Sequence, residues 1–342
     1  MTTRDISKTL IWDDLGLSSP HSGIGSYGRN LNEPLLNLGW TPRLFNGLEI
    51  GEAFRRGGLS ENKFPLPQIR PYFLPQGSIV HGLSNINGPV IKLRRGIRSV
   101  ITIHDLIPIF TSDSTRYGIL FKAIYKHVAK SADRVIAVSQ WTKQGLVREG
   151  ISEEKIHVIP NGFPPWKAPS ETAKEHLLCV GRHEIYKNLH FFAKISKHMG
   201  LKAVLVTDAR GAQHLGGMFS ELCESGQLVI KSSLEQNELS ELYRKAFVLV
   251  HPSLFEGFCL PAAEANAHGV PVVFHKGSGI DETVEFGEGN VGYHVEEWAQ
   301  AIARCIDVRP SQELIQKIKQ RTWAKAAESL AQVYNDLRGE ML

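Results

Sequence analysis

Short runs of β-branched and other apolar residues recur along the whole chain, each followed by a segment of helical periodicity. "KTLIW", "SVITIHD", "DRVIAVS" and "KIHVIP" read as buried strands in the first half. "HLLCVG", "KAVLVTD", "GQLVIK", "AFVLVHP" and "GVPVVFH" do so in the second. Between them, segments such as "SYGRNLNEPLLNL", "SQWTKQGLVREG" and "EQNELSELYRKA" have the pattern of amphipathic helices. Strands that alternate with helices pair in parallel through helical crossovers, so the pattern predicts an α/β protein. The strands are apolar almost continuously, as in sheets covered on both faces.

The alternation is broken once, by "PNGFPPWKAPSETAKEH" from Pro160 to His176, a stretch with four prolines and little periodicity. A chain of 342 residues is comfortable for two domains. We therefore expect two doubly wound halves, residues 1–163 and 164–322, with ligand sites at the carboxyl ends of their strands. The last amphipathic segment, "TWAKAAESLAQVYNDL", follows the second set of strands and by position alone reads as a cap on it.

Composition narrows the function classes. Apolar residues at 42% leave enough for a packed core and exclude a disordered chain. Cys179, Cys223, Cys259 and Cys305 contain no Cys-x-x-Cys pair, so they read as reduced thiols of a cytoplasmic protein, with no zinc cluster. "MTTRDISKTLIWDD" has too short an apolar run for a signal peptide, and no window has the roughly 18 apolar residues of a membrane span. Charge is uneven: +7 up to Pro165 and −3 beyond it. A basic first half could attract an acidic acceptor or an anionic membrane surface, giving peripheral contact with the inner face of a membrane. The blander account is that "KLRRGIR" (Lys92 to Arg98) is a solvated turn. No nucleic-acid partner is expected.

Four motifs carry candidate chemistry. "SSPHSGIGSYGRNL", from Ser18, leads from a strand into a helix, and Gly23 and Gly25 would let backbone approach a ligand near a helix N-terminus. It is not a full dinucleotide fingerprint, because no acidic residue ends the next strand region. In "TIHDLIPIF", His104 stands at the carboxyl end of a buried strand, where it can donate to a substrate hydroxyl or move a proton. In "VGRHEIYKN", Arg182 and Lys187 put a fork and a point charge at a strand end, which suits a diphosphate, and Asn188 could cap the next helix.

The fourth motif, "HPSLFEGFCLPAAEANAHGVPVV", holds Glu256 and Glu264 eight positions apart with no basic residue between them. Pro261 suits the first turn of a helix, so Glu264 falls in early helix, able to accept from vicinal hydroxyls. The amides of Phe258, Cys259 and Leu260 would point outward at that helix start and hold a phosphate or sugar oxygen. Complementing the helix dipole would explain Glu264 but not Glu256 in its glycine-flanked loop. Both carboxylates are expected unpaired, free for hydroxyls.

This last stretch resembles the Glu-x7-Glu signature of family-4 retaining glycosyltransferases. "SGIGSYGRNL", "TIHDLIP", "VIAVSQWTKQGL", "KIHVIPNG" and "VGRHEIYKN" agree with that family in order and spacing and span nearly the whole chain. The resemblance implies a GT-B fold: two Rossmann-like domains facing each other across a cleft that closes over the donor, with the last helix, 323–342, crossing back to the first domain. It implies that Arg182 and Lys187 bind the diphosphate of a nucleotide-sugar donor and that Glu264 holds the ribose hydroxyls. Glu256 would lie beside the transferred sugar, with the amides of Phe258 to Leu260 against sugar and phosphate. Gly23 and Gly25 would approach the donor, His104 would sit near the reacting face of the sugar, and Gly279 would line the sugar site. "VIKSSLEQNELSELY", including Ser233, resembles the segment that cradles the base.

The implied reaction is transfer of a hexose with retention of configuration, to a saccharide or lipid-linked saccharide acceptor. "TIHDLIPIF" leans towards GDP-mannose; a UDP-sugar is the other candidate. No Asp-x-Asp is present, so neither metal nor cofactor is expected. Two features depart from the family: Cys259 stands where glycine is usual, and "PNGF" lacks an acid two places after the asparagine. The competing functions are a non-catalytic nucleotide-sugar-binding protein and a sugar-nucleotide epimerase of the same fold.

Overall fold

The computed structural model describes residues 9–13, 23–45, 77–83, 97–110, 116–167, 174–209, 211 and 215–339. Residues 18–22 of the first glycine motif and most of the "KLRRGIR" stretch lie outside them. The chain divides into two compact units, Met1–Gly162 with Trp323–Leu342, and Phe163–Thr322.

The first unit is built on one sheet of β1 (Thr9–Asp13), β2 (Thr41–Phe45), β3 (Ile79–Gly82), β4 (Arg98–Ile103), β5 (Arg134–Ala137) and β6 (Ile156–Val158). Its order is β2-β1-β3-β4-β5-β6 and every pair is parallel. Helices α1 (Gly23–Asn37), α2 (Arg116–Ser131) and α3 (Gln140–Arg148) supply crossovers. The start of α3 is set locally: Ser139 is its N-cap and accepts from the Thr142 amide.

The second unit repeats the plan with β7 (His176–Val180), β8 (Ala203–Val206), β9 (Leu228–Lys231), β10 (Ala246–His251), β11 (Val272–His275) and β12 (Gly287–Asn290). All pairs are again parallel, in the order β12-β11-β10-β7-β8-β9. Its helices are α4 (Leu189–Met199), α5 (Met218–Glu224), α6 (Gln236–Lys245), α7 (Leu260–Ala267), α8 (Val295–Cys305) and α9 (Gln312–Gln320). Successive strand residues serve opposite faces. Leu177, Cys179, Leu205 and Val250 join a core with α4, α5 and α8. Leu178, Val204, Leu249 and Val272 join another with α6 and α7. Two covered faces explain the continuous apolar strands, and each fully buried Leu or Val side chain contributes about 1.5–3 kcal/mol.

The final helix, α10 (Trp323–Gly339), corrects the assignment made from its sequence position alone. It belongs to the first unit, where it packs against α1. The reason is its buried stripe of Trp323, Ala326, Ala327, Leu330, Val333, Tyr334 and Leu337. Within that contact Tyr334 carries a polar anchor. Its hydroxyl lies 2.6 Å from His81 Nδ1, His81 Nε2 lies 2.8 Å from Thr102 Oγ1, and Thr102 Oγ1 lies 3.2 Å from the Tyr27 hydroxyl. All four side chains are buried, so the chain of hydrogen bonds ties α10, β3, β4 and α1 together without an unmet group among its atoms.

In each sheet the order reverses once. Chain order runs outward from β1 to β2 and the other way from β3; it runs from β7 to β9 and the other way from β10. The crevices at the carboxyl ends of β1/β3 and of β7/β10 are therefore the places where an open α/β sheet receives a ligand.

Candidate active site

Two loops leave the β7/β10 crevice of the second unit. The first follows β7 and carries Arg182 and, on a helical turn from Ile185, Lys187. The second follows β10 and carries Glu256 before α7 begins. They are stitched together by main chain: the Leu254 amide donates to Tyr186 O at 2.7 Å, and Ser253 Oγ to the same carbonyl at 3.3 Å. The loop after β11 fixes the second from behind, since the Gly279 amide donates to Glu256 O at 2.8 Å and the Glu256 amide donates to Ser278 Oγ.

The expectation of an unpaired Glu256 is wrong. Lys187 Nζ donates to its Oε1 at 2.5 Å, and His251 Nε2 reaches the same oxygen at 2.7 Å. Absence of a cation within the stretch did not mean absence in space, because the β7 loop brings one across the crevice. The Lys187 and Glu256 side chains are only 14% and 9% exposed. Burial opposes the charge on Lys187, but the facing carboxylate outweighs it and holds the ammonium above its ordinary range. Burial would likewise raise Glu256, yet Lys187 and His251 hold it well below the usual carboxylate range. Oε2 of Glu256 has no protein partner among the described residues.

Glu264 sits half-buried on α7, and it too has a partner: the Tyr243 hydroxyl donates to its Oε2 at 2.8 Å. No cation faces it among the described residues, so burial pushes its carboxyl up to about 7 even though the Tyr243 hydrogen bond pulls the other way. The Tyr243 ring stacks on His268 at 5.3 Å. That histidine donates from Nδ1 to the Glu264 carbonyl at 2.7 Å, accepts from Ser240 Oγ at 2.8 Å, and Lys167 Nζ donates to Ser240 in turn. The two glutamates thus share a design: one oxygen is spent on the protein and the other is left unspent.

Between them, Cys259 is the N-cap of α7 with φ 76° and ψ 78°. A left-handed backbone costs a non-glycine residue about 1–2 kcal/mol, which is the physical reason glycine suits this turn. None of the amides of Phe258, Cys259 and Leu260, which lead into the first turn of α7, has a protein acceptor among the described residues. Both Glu256 and Glu264 act on the Cys259 thiol, which burial, first of all, pushes well up.

Arg182 is 60% exposed, and its nearest described carboxylates, Asp208 and Glu184, stand 3.7 and 4.0 Å away. It is available to an anion in a way that Lys187 is not. Asn188 does occupy the N-cap of α4, with φ 51°, but its side chain makes no cap hydrogen bond. Ser233 is exposed in the loop after β9, with φ 54°. Gly279 is buried at the start of a helical turn after β11.

The remaining candidates belong to the first unit. Gly23 is the exposed first residue of α1 and Gly25 is buried in its first turn. His104 follows β4; its Nε2 donates to Leu83 O at 2.8 Å, and its ring meets Tyr27 edge-on at 4.8 Å. Burial pushes His104 down to about 4, so the ring is neutral at pH 7 and Nδ1 is its accepting nitrogen.

His251, Glu256 and Cys259 are the one group among the described residues whose donor atoms lie close enough to share a metal ion. The Lys187 ammonium already stands on the carboxylate of that set, so a dication there would be set against a buried positive charge. The donor set fits an ion pair better than a metal. His251, Tyr243 and Ser278 were missed by sequence reasoning. His251 had a usable signal, since it ends a buried strand just as His104 does.

Comparison with known proteins bears on this geometry. A family model described as Glycosyltransferase Family 4 matches residues 54–166, and one described as Glycosyl transferases group 1 matches residues 164–329. The O-antigen chain mannosyltransferase RfbU of Salmonella typhimurium is 32% identical over 180 residues, covering 51% of this chain and 50% of that protein. The MMP alpha-(1->4)-mannosyltransferase of Mycolicibacterium hassiacum is 27% identical over 176 residues, covering 49% and 42%. The chain thus spans about half the length of the curated relatives it matches. Among solved structures, sucrose-phosphate synthase of Thermosynechococcus elongatus superposes with a TM-score of 0.75 at 17% identity, over 97% of this chain and 100% of that one. Anabaena HepE, in complex with UDP and glucose, gives 0.70 at 17% identity over 96% and 99%. These likenesses show the GT-B fold. No helix of the described residues is long and apolar enough to cross a membrane.

Proposed function

Because the chain belongs to the family-4 glycosyltransferases, we propose that it moves a hexose from a nucleoside-diphosphate sugar to a saccharide or lipid-linked saccharide acceptor, retaining the anomeric configuration. GDP-mannose is the leading donor, supported by the mannosyltransferases among its relatives; a UDP-sugar is the second candidate, since HepE was captured with UDP and glucose.

The observation that carries this reading is that the loops at one crevice bear an exposed arginine, a buried lysine–glutamate pair and, at the start of α7, three amides without a protein acceptor among the described residues. When the glycosidic bond breaks, negative charge grows on the departing diphosphate. Arg182 and the amides of Phe258, Cys259 and Leu260 would donate to that charge, Lys187 would join them as the diphosphate draws its ammonium from Glu256, and each such donor can lower the barrier by about 3 kcal/mol. These groups supply the positive charge that a metal would otherwise bring, so we propose a metal-independent reaction. Glu256 is unsuited to phosphate and suited to sugar hydroxyls through Oε2, while Glu264 would take the ribose hydroxyls through Oε1. Ser233 lies in the loop proposed to meet the base, and Gly279 in the turn proposed to line the sugar. His104, neutral with an accepting Nδ1, is proposed to handle a hydroxyl or proton during transfer. Peripheral contact with a membrane remains an additional proposal, resting on the charge of the first half.

A thermal-shift panel of GDP, UDP and ADP with their sugars tests the donor. Stabilisation by one base, together with release of its diphosphate from the sugar nucleotide that Arg182→Ala abolishes, is the expected result. No shift with any of them would sink the proposal.

A further inference from the structure

The carboxylate of Glu256 is held by two groups on one oxygen, and one of them, His251, lies outside the Glu-x7-Glu spacing and has no role assigned by it. His251 ends β10, is 2% exposed, and places Nε2 2.7 Å from Glu256 Oε1. A carboxylate oxygen without its proton only accepts, so Nε2 donates. The other ring nitrogen, Nδ1, is buried without a protein partner among the described residues. Nothing else assigned to this ring explains a polar side chain buried so completely, at the cost such burial carries. Only the contact to Glu256 does.

We infer that His251 is a positioning residue for the donor sugar: its Nε2–H holds Oε1 of Glu256 and thereby turns Oε2 toward the hydroxyls of the bound sugar. The inference rests on the proposed placement of the sugar beside Glu256 and adds a division of labour to it. Lys187 sits on the same oxygen, and in the proposed function it also meets the diphosphate. If donor binding draws the ammonium toward phosphate, His251 is the contact that remains on Oε1. The backbone of Glu256 is already fixed through Ser278 Oγ and the Gly279 amide, so the free variable is the rotation of the carboxylate itself. A single directed donor from a rigid strand end sets that rotation.

Two amide substitutions separate this role from mere packing. In His251→Gln the side-chain amide extends to about where Nε2 lies, whereas in His251→Asn it reaches only the Nδ1 position. Both are polar and similar in size, so a structural role would penalise them alike. Calorimetric titrations of the full chain with GDP and GDP-mannose, and with UDP and UDP-glucose, give the affinity for the sugar nucleotide relative to its diphosphate. Glu256→Gln serves as the reference. We expect His251→Asn and Glu256→Gln each to lower the affinity for the sugar nucleotide relative to its diphosphate about tenfold, the usual scale for a hydrogen bond to a charged group; His251→Asn, which leaves the Lys187–Glu256 pair in place, should keep diphosphate binding within about twofold. His251→Gln should recover most of the loss. If Glu256→Gln shows the selective loss but the two His251 variants behave alike, His251 does not position the carboxylate. If Glu256→Gln itself shows no selective loss, the sugar does not lie beside Glu256, and the proposed donor placement fails along with this inference.

Discussion

Replacing Lys187 by Met removes one half of a buried ion pair and leaves the other half in place. Glu256 would keep the His251 hydrogen bond, but its charge would be 9% exposed with no cation against it. Breaking a buried pair in this way costs about 3–5 kcal/mol, a large part of the roughly 5–15 kcal/mol that holds a domain folded. The retained hydrogen bond argues for the lower end, about 3 kcal/mol at pH 7. The pH dependence follows with a definite sign. A carboxyl held below its ordinary 4.5 contributes stability above that pH and loses it as pH falls through the folded value. Without Lys187 the depression is largely gone, so the gap between wild type and variant should be full at pH 7 and shrink below about pH 5. Adding Glu256→Gln removes the stranded charge, so the double variant should be more stable than Lys187→Met alone at pH 7. Urea denaturation of the three proteins at pH 7 and pH 4.5 measures all of this. A loss below about 1 kcal/mol at pH 7, or a double variant no better than the single one, would mean that Lys187 and Glu256 do not form a buried ion pair, because surface pairs behave that way and buried ones do not.

Donor affinity should depend on pH through Glu264, whose carboxyl is pushed up to about 7 and must be ionised to accept from two ribose hydroxyls. Binding of the sugar nucleotide should weaken about tenfold from pH 7.5 to pH 6 and level off above pH 8, and Glu264→Gln should flatten the profile in a titration series. Arg182→Ala should leave thermal stability within about 0.5 kcal/mol, since the side chain is exposed, yet weaken nucleoside-diphosphate binding at least tenfold by calorimetry. Tyr334→Phe should cost about 1–3 kcal/mol in a denaturation assay, because His81 Nδ1 is then buried without its partner.

The strands were legible because two covered sheet faces force continuous apolar runs, and those runs are visible in "FVLVHP" or "HLLCVG" without any structure. The crevice was legible for the same reason: Arg182, Lys187 and Glu256 each follow a strand that could be marked in advance. What could not be read was the pairing across it. Lys187 and Glu256 are 69 positions apart, and their contact depends on β7 and β10 being neighbours, a property of strand order that no local pattern encodes. The place of α10 was hidden likewise, since its stripe says that it is buried but not against which unit. Cys259 could be seen as a departure from the family's glycine, while its left-handed backbone, the reason for that glycine, is a fact of conformation.

In the proposed placement one donor lies across the crevice with its ribose on Glu264. Calorimetric titration of wild type and Glu264→Gln with a nucleoside diphosphate and its 2′,3′-dideoxy form tests this directly. Wild type should bind the dideoxy form about tenfold more weakly, the scale of a hydrogen bond to a charged group, and Glu264→Gln should bind both forms alike. If the variant still prefers the ribose form as strongly as wild type does, another group reads those hydroxyls and the donor does not lie as described.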